Sequence, residues 1–196
     1  MIDLQQEAKN RLSPKRFKHV QGVVETAIVL AKRFGADVAK VSQAAWLHDM
    51  FRELTEWQLQ TLLQEIKETI PLGPVATWHG PVCASRMERD FLVTDKDIQE
   101  AVKWHTVGHP DMGLVGEVLY VADAIEPGRA YEGVSLLREA AMVSLPLSVG
   151  VVADASLRYL LDRHWLIDTN TVALRNKAWR SVEREDREWF DRLHDH

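Results

Sequence analysis

An imidazole followed directly by a carboxylate, His48-Asp49, closes the run Val41-Ser42-Gln43-Ala44-Ala45-Trp46-Leu47. The run reads as a helix, with few breakers and apolar residues three and four apart. Val41, Ala44, Ala45 and His48 then share one face. A carboxylate on the buried side of an apolar helix is costly without a partner, so Asp49 requires a cation. That face offers no lysine, which makes a metal ion the natural candidate. His19, His79, His105 and Asp123 also fall on apolar faces or beside helix ends. Imidazole and carboxylate together suit iron, manganese, zinc or cobalt. The six residues exceed what one tetrahedral ion needs, and two ions sharing Asp49 as a bridge would use them all. Two-metal sites clamp the attacking and leaving oxygens of a phosphoryl displacement. No cysteine joins the set, which argues against structural zinc. A lone histidine on an apolar face is commonly a hydrogen-bonded core residue. Six such residues on inward positions together favour a metal centre.

The elements that must position these residues follow from helix signals. Ser13-Pro14 starts a helix, with Ser13 as N-cap, and Gly35 ends it after Phe34. Its inward stripe is His19, Val23, Ala27, Leu30, Ala31 and Phe34, with Lys15, Arg16 and Lys18 near its start. Asp37 caps the helix that ends at His48-Asp49. Thr55-Glu56-Trp57-Gln58 is a capping box, and the helix it opens is expected to break at Pro71, Gly73 and Pro74. His79 stands just ahead of a helix that has Pro81 in its first turn and runs to about Phe91. Thr94-Asp95 caps the next helix, which carries Ile98, Ala101, Val102 and His105. Residues 108–113 form a loop. A helix from Leu114 carries Val115, Leu119 and Asp123 on one face and stops at Glu126-Pro127-Gly128-Arg129. Glu132–Val143 is expected to be helical. Pro146 starts a long helix to about His164, and Thr169 or Thr171 caps a last one holding Trp179, Trp189 and Phe190. No segment alternates as a strand would, so the expected fold is all-α.

Composition narrows the class. At 196 residues the chain fits one domain, and its net charge of −5 argues against broad binding to nucleic-acid polymers. Cys83 is the single cysteine, which excludes an internal disulfide and suits a reducing compartment. The opening residues lack the pattern of a signal peptide, and no apolar stretch reaches the length of a membrane span. A cytoplasmic location is therefore expected. His164 suits a helix end, where a cation favours the dipole, and His194 and His196 suit a frayed tail.

Five blocks in order carry a resemblance. They are Arg16-Phe17-Lys18-His19, Ala45-Trp46-Leu47-His48-Asp49, His79-Gly80-Pro81-Val82, His105-Thr106-Val107-Gly108 and Ala122-Asp123-Ala124-Ile125-Glu126-Pro127-Gly128-Arg129. Together they resemble the HD-domain phosphohydrolase superfamily. The closer similarity is to the YqeK-like HD family, related to symmetrical diadenosine tetraphosphate hydrolases. It covers roughly Arg11 to Trp179.

The resemblance implies a single HD domain over 1–196: a helical bundle around a binuclear metal site over about 11–130, and further helices over about 131–193. It implies two divalent or mixed-valence ions, iron first, with manganese, cobalt or zinc as alternatives. His19, His48, Asp49 and Asp123 would hold one ion, and Asp49, His79 and His105 the other. The implied reaction is metal-assisted, in-line hydrolysis of a phosphoanhydride, splitting diadenosine tetraphosphate symmetrically into two ADP. Asp49 and Arg52 are the expected catalytic residues, and Arg16, His109 and Arg129 the expected phosphate binders. The family usually has lysine where Arg52 stands. Arginine keeps the charge and offers a phosphate fork, but it cannot give up its proton. The expected partner is a dinucleoside polyphosphate or another nucleotide, with neither nucleic-acid polymer nor membrane, and a homodimer is compatible with this reading. Two rivals are a hydrolase of deoxynucleotides or of a guanosine alarmone, and a nucleotide-sensing module without turnover.

Overall fold

Ser13 caps the longest helix, α2 (Pro14–Phe34), by accepting from the Arg16 amide, and Gly35 closes it in the left-handed conformation at φ 74°. Before it lies α1 (Leu4–Arg11), capped by Asp3. This helix was not anticipated from the sequence. Its residues LQQEAKNR place one small apolar side chain inward, Ala8, too few to show a period. The computed structural model describes residues 2–68 and 73–194, with the side chain of His194 outside that set. Pro71 and His196 lie outside the described residues, so the break expected at Pro71 and the tail position of His196 do too.

The remaining elements are α3 (Val38–Leu47), α4 (Glu56–Glu65), a 3₁₀ turn at Val75–Thr77, α5 (His79–Phe91), α6 (Lys96–Trp104), α7 (Leu114–Ile125), α8 (Val134–Ala140), α9 (Leu145–Asp162), α10 (Thr169–Ser181) and α11 (Arg184–His194). Among the described residues there is no strand, and no helix is long and apolar enough to cross a membrane. The all-α fold is as expected. Thr55 and Gln58 form the capping box at the start of α4.

The axis of the bundle is α7. Val115, Val118, Leu119, Tyr120, Val121, Ala122 and Ile125 are all buried. A helix apolar around most of its circumference must be covered on several sides. Helices α2, α6 and α9 cover it, and α3 packs between α2 and α6. One buried cluster runs from Ala8 to Ala178. Asp123 is the acidic residue that α7 carries into this setting.

Three boundaries differ from the sequence reading. The expected segment Glu132–Val143 shortens to α8, because Gly133 at φ 84° starts it. Asp168, not Thr169 or Thr171, caps α10 by accepting from the Asn170 amide, and the Thr171 hydroxyl donates to the Val107 carbonyl at 2.7 Å instead. The last helix is two helices. Val182 leaves the helical region at ψ 122° between α10 and α11. Trp179 and Phe190 close that hairpin with ring centroids 5.5 Å apart, and the Arg187 guanidinium donates to the Trp179 carbonyl at 2.8 Å.

Gly80 decides how closely the two histidine-bearing ends of α5 and α6 approach. A Cβ at this position would lie 2.8 Å from the Lys103 carbonyl oxygen and 3.0 Å from that of Val102. Both obstacles are backbone, so neither can step aside cheaply. Gly80→Ala is expected to lower stability by about 1–3 kcal/mol, the usual range for overpacking. It should also lower metal content by prying His79 from His105. Thermal unfolding and elemental analysis of the variant check both, and unchanged values in both would refute the close-approach argument.

Candidate metal centre

Two helix ends supply two of the histidines by the same device. The last carbonyls of a helix lack intrahelical partners. His48, the C-cap of α3, turns back so that its Nδ1 lies 2.7 Å from the Ala45 carbonyl. His105, the C-cap of α6, does the same with Val102 at 2.7 Å. A carbonyl only accepts, so Nδ1 carries the proton in both rings. Nε2 is left as the lone pair facing inward, the usual arrangement of a metal-binding imidazole. The C-terminal dipole ends of α3 and α6 also favour a cation there.

The other groups arrive from three more elements. His19 comes from α2, His79 opens α5, and Asp123 sits near the end of α7. Asp49 follows His48 in the turn after α3. Its two oxygens face different neighbours. Oδ1 lies 3.0 Å from His79 Nε2, while Oδ2 lies 3.5 Å from His48 Nε2 and 3.6 Å from His19 Nε2. His79 and His105 bring their Nε2 atoms within 3.0 Å of each other. Asp123 Oδ1 lies 3.1 Å from His19 Nε2. His48, Asp49, His79 and His105 are buried, and the His19 side chain is 11% exposed.

These groups form three overlapping triads whose ligand atoms lie within 4.8 Å of one another: His19, His48 and Asp49; His48, His105 and Asp123; and Asp49, His79 and His105. All six residues picked out in the sequence are therefore brought together. The expected division into two ligand sets is only partly mirrored, because His105 also groups with His48 and Asp123.

The residues fit a metal ion. Nε2 of His19 and Nε2 of His48 are buried and make no hydrogen bond, despite carboxylates close by. Buried polar atoms left this way are rare in folded proteins, and a cation on those lone pairs would satisfy them. The charges agree. Burial works against ionisation of Asp49, yet His48 and His79 beside it hold its pKa well below the usual carboxylate range. Burial likewise opposes ionisation of Asp123, but the His19 ring and the Arg129 guanidinium hold it low. Burial disfavours a charged His48, yet the Asp49 carboxylate beside it raises its pKa above the usual imidazole range. Burial, with the His79 and His48 rings alongside, pushes His105 down to about 3, so its lone pair stays free. Cys83 takes no part: it is buried and its thiol donates to the Leu47 carbonyl at 3.1 Å.

One expectation needs correction, and one expected phosphate binder has a protein partner. The cation beside Asp49 was sought in a metal alone, but Arg16 reaches it from α2, with Nη1 2.9 Å from Oδ2. Arg129, expected to face phosphate, donates from Nη2 to Asp123 Oδ1 at 2.6 Å and from Nε to the Asp123 carbonyl at 2.8 Å. Both arginines lean on carboxylates of the cluster. Arg52 is half-buried, and among the described residues its side chain makes no hydrogen bond or ion pair. His109 stacks on Trp104 at 4.6 Å and accepts from the Asp111 amide. His164 sits exposed at φ 54° just past the end of α9, and its amide donates to the Leu161 carbonyl at 3.0 Å.

One residue of the site escaped the sequence reading. Glu126, read there as part of the helix stop, is 4% exposed, and its Oε1 lies 3.1 Å from His19 Nδ1. Its spacing was the available signal: Glu126 stands three residues after Asp123 and so shares its face.

Comparison with known proteins agrees with this geometry. The HD domain family matches residues 16–128, which hold all six clustered residues and Glu126. The symmetrical bis(5'-nucleosyl)-tetraphosphatase of Bacillus subtilis (strain 168) is 40% identical over 140 residues, covering 70% of this chain and 75% of that protein. A protein of the same description from Staphylococcus aureus (strain NCTC 8325 / PS 47) is 31% identical over 182 residues, 90% of this chain and 93% of its own. A crystal structure from Clostridium acetobutylicum, described as a predicted HD superfamily hydrolase involved in NAD metabolism, superposes with a TM-score of 0.84 at 28% identity, over 91% of this chain and 96% of that one. With its histidine and aspartate pair on the matched span and relatives of this identity along most of its length, the chain belongs to the HD-domain family.

Proposed function

We propose that this chain is a metal-dependent phosphoanhydride hydrolase that splits diadenosine tetraphosphate symmetrically into two ADP. The observation that carries the reading is the divided Asp49 carboxylate, with Oδ1 toward His79 and Oδ2 toward His19 and His48. That division is what a bridge between two ions requires. The printed activity of the Bacillus subtilis and Staphylococcus aureus relatives supports the substrate. Iron is the proposed metal, since mixed imidazole and carboxylate ligands suit it. The nucleotide substrate and the single cysteine support a cytoplasmic location.

His19, His48, Asp49 and Asp123 would hold one ion, and Asp49, His79 and His105 the other. When bound, the ions supply Lewis acidity at the phosphoryl oxygens and a lowered pKa for water. The chain's own groups do the rest. The carbonyl-bound His48 and His105 keep their lone pairs aimed inward. Arg16 and Arg129 hold the ligand carboxylates, and their side chains, 28% and 33% exposed, remain within reach of an incoming polyphosphate. A guanidinium there can stabilise charge on the phosphoryl oxygens and on the departing ADP oxygen. Arg52 adds charge, and among the described residues no side-chain partner competes for it.

The test is product analysis of metal-loaded protein given diadenosine tetraphosphate in ¹⁸O-labelled water. Two ADP should form for each substrate, one of the pair carrying the label on its terminal phosphate. Formation of ATP and AMP, or no turnover of this substrate, would overturn the reading.

A further inference from the structure

We propose that Glu126 is the positioning residue that sets the tautomer and aim of His19, so that His19 Nε2 can bind metal. The inference rests on the reading of His19 as a ligand.

A histidine offers a lone pair on one nitrogen only if the proton is held on the other. His48 and His105 hold theirs with the carbonyls of their own helices. His19 lies near the start of α2, where the backbone carbonyls already accept within the helix, and its Nδ1 does not turn back to one. Its Nδ1 meets Glu126 Oε1 at 3.1 Å instead. A carboxylate only accepts, so this contact holds a proton on Nδ1 and leaves the Nε2 lone pair to a cation placed between it and the carboxylates of Asp49 and Asp123.

The surroundings are built to keep that carboxylate in place. Oε2 accepts from the Gly128 amide at 2.5 Å. The slot it occupies exists because two residues lack a Cβ. One added at Gly22 would lie 2.6 Å from Glu126 Oε2, and one at Gly128 would lie 2.9 Å from Oε1. The backbone of the turn is clamped from α8. Arg138 donates from Nε to the Ile125 carbonyl at 2.9 Å, and from Nη2 to the carbonyls of Glu126 at 2.9 Å and Arg129 at 2.8 Å. A buried acid that merely tied α2 to α7 would be indifferent to which imidazole nitrogen it met.

Glu126→Gln separates the two roles, because it keeps the shape. The Gly128 N–H selects the amide oxygen, which turns the NH₂ group toward His19 Nδ1. The ring must then accept at Nδ1 and carry its proton on Nε2, where it blocks the metal. Gly22→Ala is the second variant: it keeps the carboxylate but displaces it. The experiment titrates Mn²⁺ into the full chain stripped by chelator, reading free Mn²⁺ by electron paramagnetic resonance. ¹⁵N shifts of labelled histidine in protein loaded with Zn²⁺, a diamagnetic ion, report which His19 nitrogen carries the proton.

Wild type is expected to show His19 protonated on Nδ1. Both variants should bind Mn²⁺ roughly ten- to a hundredfold more weakly, the usual cost of losing such a partner. Glu126→Gln should move the proton to Nε2. Wild-type His19 protonated on Nε2 would overturn the proposal without recourse to any variant. Mn²⁺ uptake that is lost in His19→Ala but unchanged in Glu126→Gln would overturn it while leaving the metal centre intact. No uptake by wild type would overturn the metal centre, and this proposal with it.

Discussion

Asp49→Ala is expected to remove both metal ions and to lower turnover at least about a thousandfold, or roughly 4 kcal/mol of transition-state stabilisation. The reason is its two-sided contact. Losing Oδ1 takes an anion from the His79 and His105 side, and losing Oδ2 takes one from the His19 and His48 side. His79→Ala should cost one ion preferentially, because among the described residues His79 groups with Asp49 and His105 alone. Elemental analysis of the two variants against wild type makes the comparison. At most one ion per chain in fully active wild type would sink the two-ion arrangement and leave a single-metal hydrolase. Acid unfolding of the metal-free protein supplies a second readout. The folded pKa of Asp49 is depressed, so its contribution to stability is present above the ordinary carboxylate range, near pH 4, and is lost as pH falls below it. The alanine variant lacks that contribution, and its stability should fall less steeply on acidification.

What the sequence made legible follows a physical rule. His48 could be placed because Val41, Ala44 and Ala45 precede it at helical spacing, and each of these is buried. Asp123 could be placed because Val115 and Leu119 precede it on the same face of an apolar helix. Periodicity reports which way a side chain points from its own helix, and these residues needed nothing more. Arg16 needed more. Lys15, Arg16 and Lys18 look alike in sequence, and only the packing of α2 on α3 sends Arg16 to a carboxylate 33 residues away. Glu126 was hidden for the same reason. Its burial depends on Gly22, which opens the slot from α2, and on Arg138, which reaches back from α8. A polar residue before Pro-Gly reads as a helix stop until those partners are known. The split between α10 and α11 left no Pro or Gly to announce it. Its marks lie in the fold: Val182 leaves the helical region, and Trp179, packed on Gly150, meets Phe190 across the turn. Local rules located the six clustered residues; the groups that hold them in place are long-range and became visible only in the fold.

His105→Ala and Arg129→Ala should fail in different ways, although both residues stand at the cluster. His105 is buried, neutral, and has Nε2 within 3.0 Å of His79 Nε2. It belongs to two of the three ligand triads. Its loss should lower metal content and, through it, lower turnover by about a hundredfold or more, because bound ions would lower the pKa of the attacking water. Arg129 holds Asp123 through two hydrogen bonds, but it is part-exposed and offers no lone pair. Its removal should leave metal content near that of wild type. Charge-assisted bonds of this kind contribute about 1.5–3 kcal/mol, so kcat/KM should drop roughly ten- to a hundredfold. The split between the two constants says where the guanidinium acts. A rise in KM alone means that it binds ground state and transition state equally, whereas a fall in kcat means that the contact strengthens as charge develops. Steady-state kinetics with elemental analysis on both variants decide the matter. If Arg129→Ala keeps its metal and its kinetics on every hydrolysed nucleotide, the guanidinium serves Asp123 alone. If instead it loses metal as readily as His105→Ala does, its part is to orient the Asp123 carboxylate, and phosphate recognition must fall to Arg16 and Arg52.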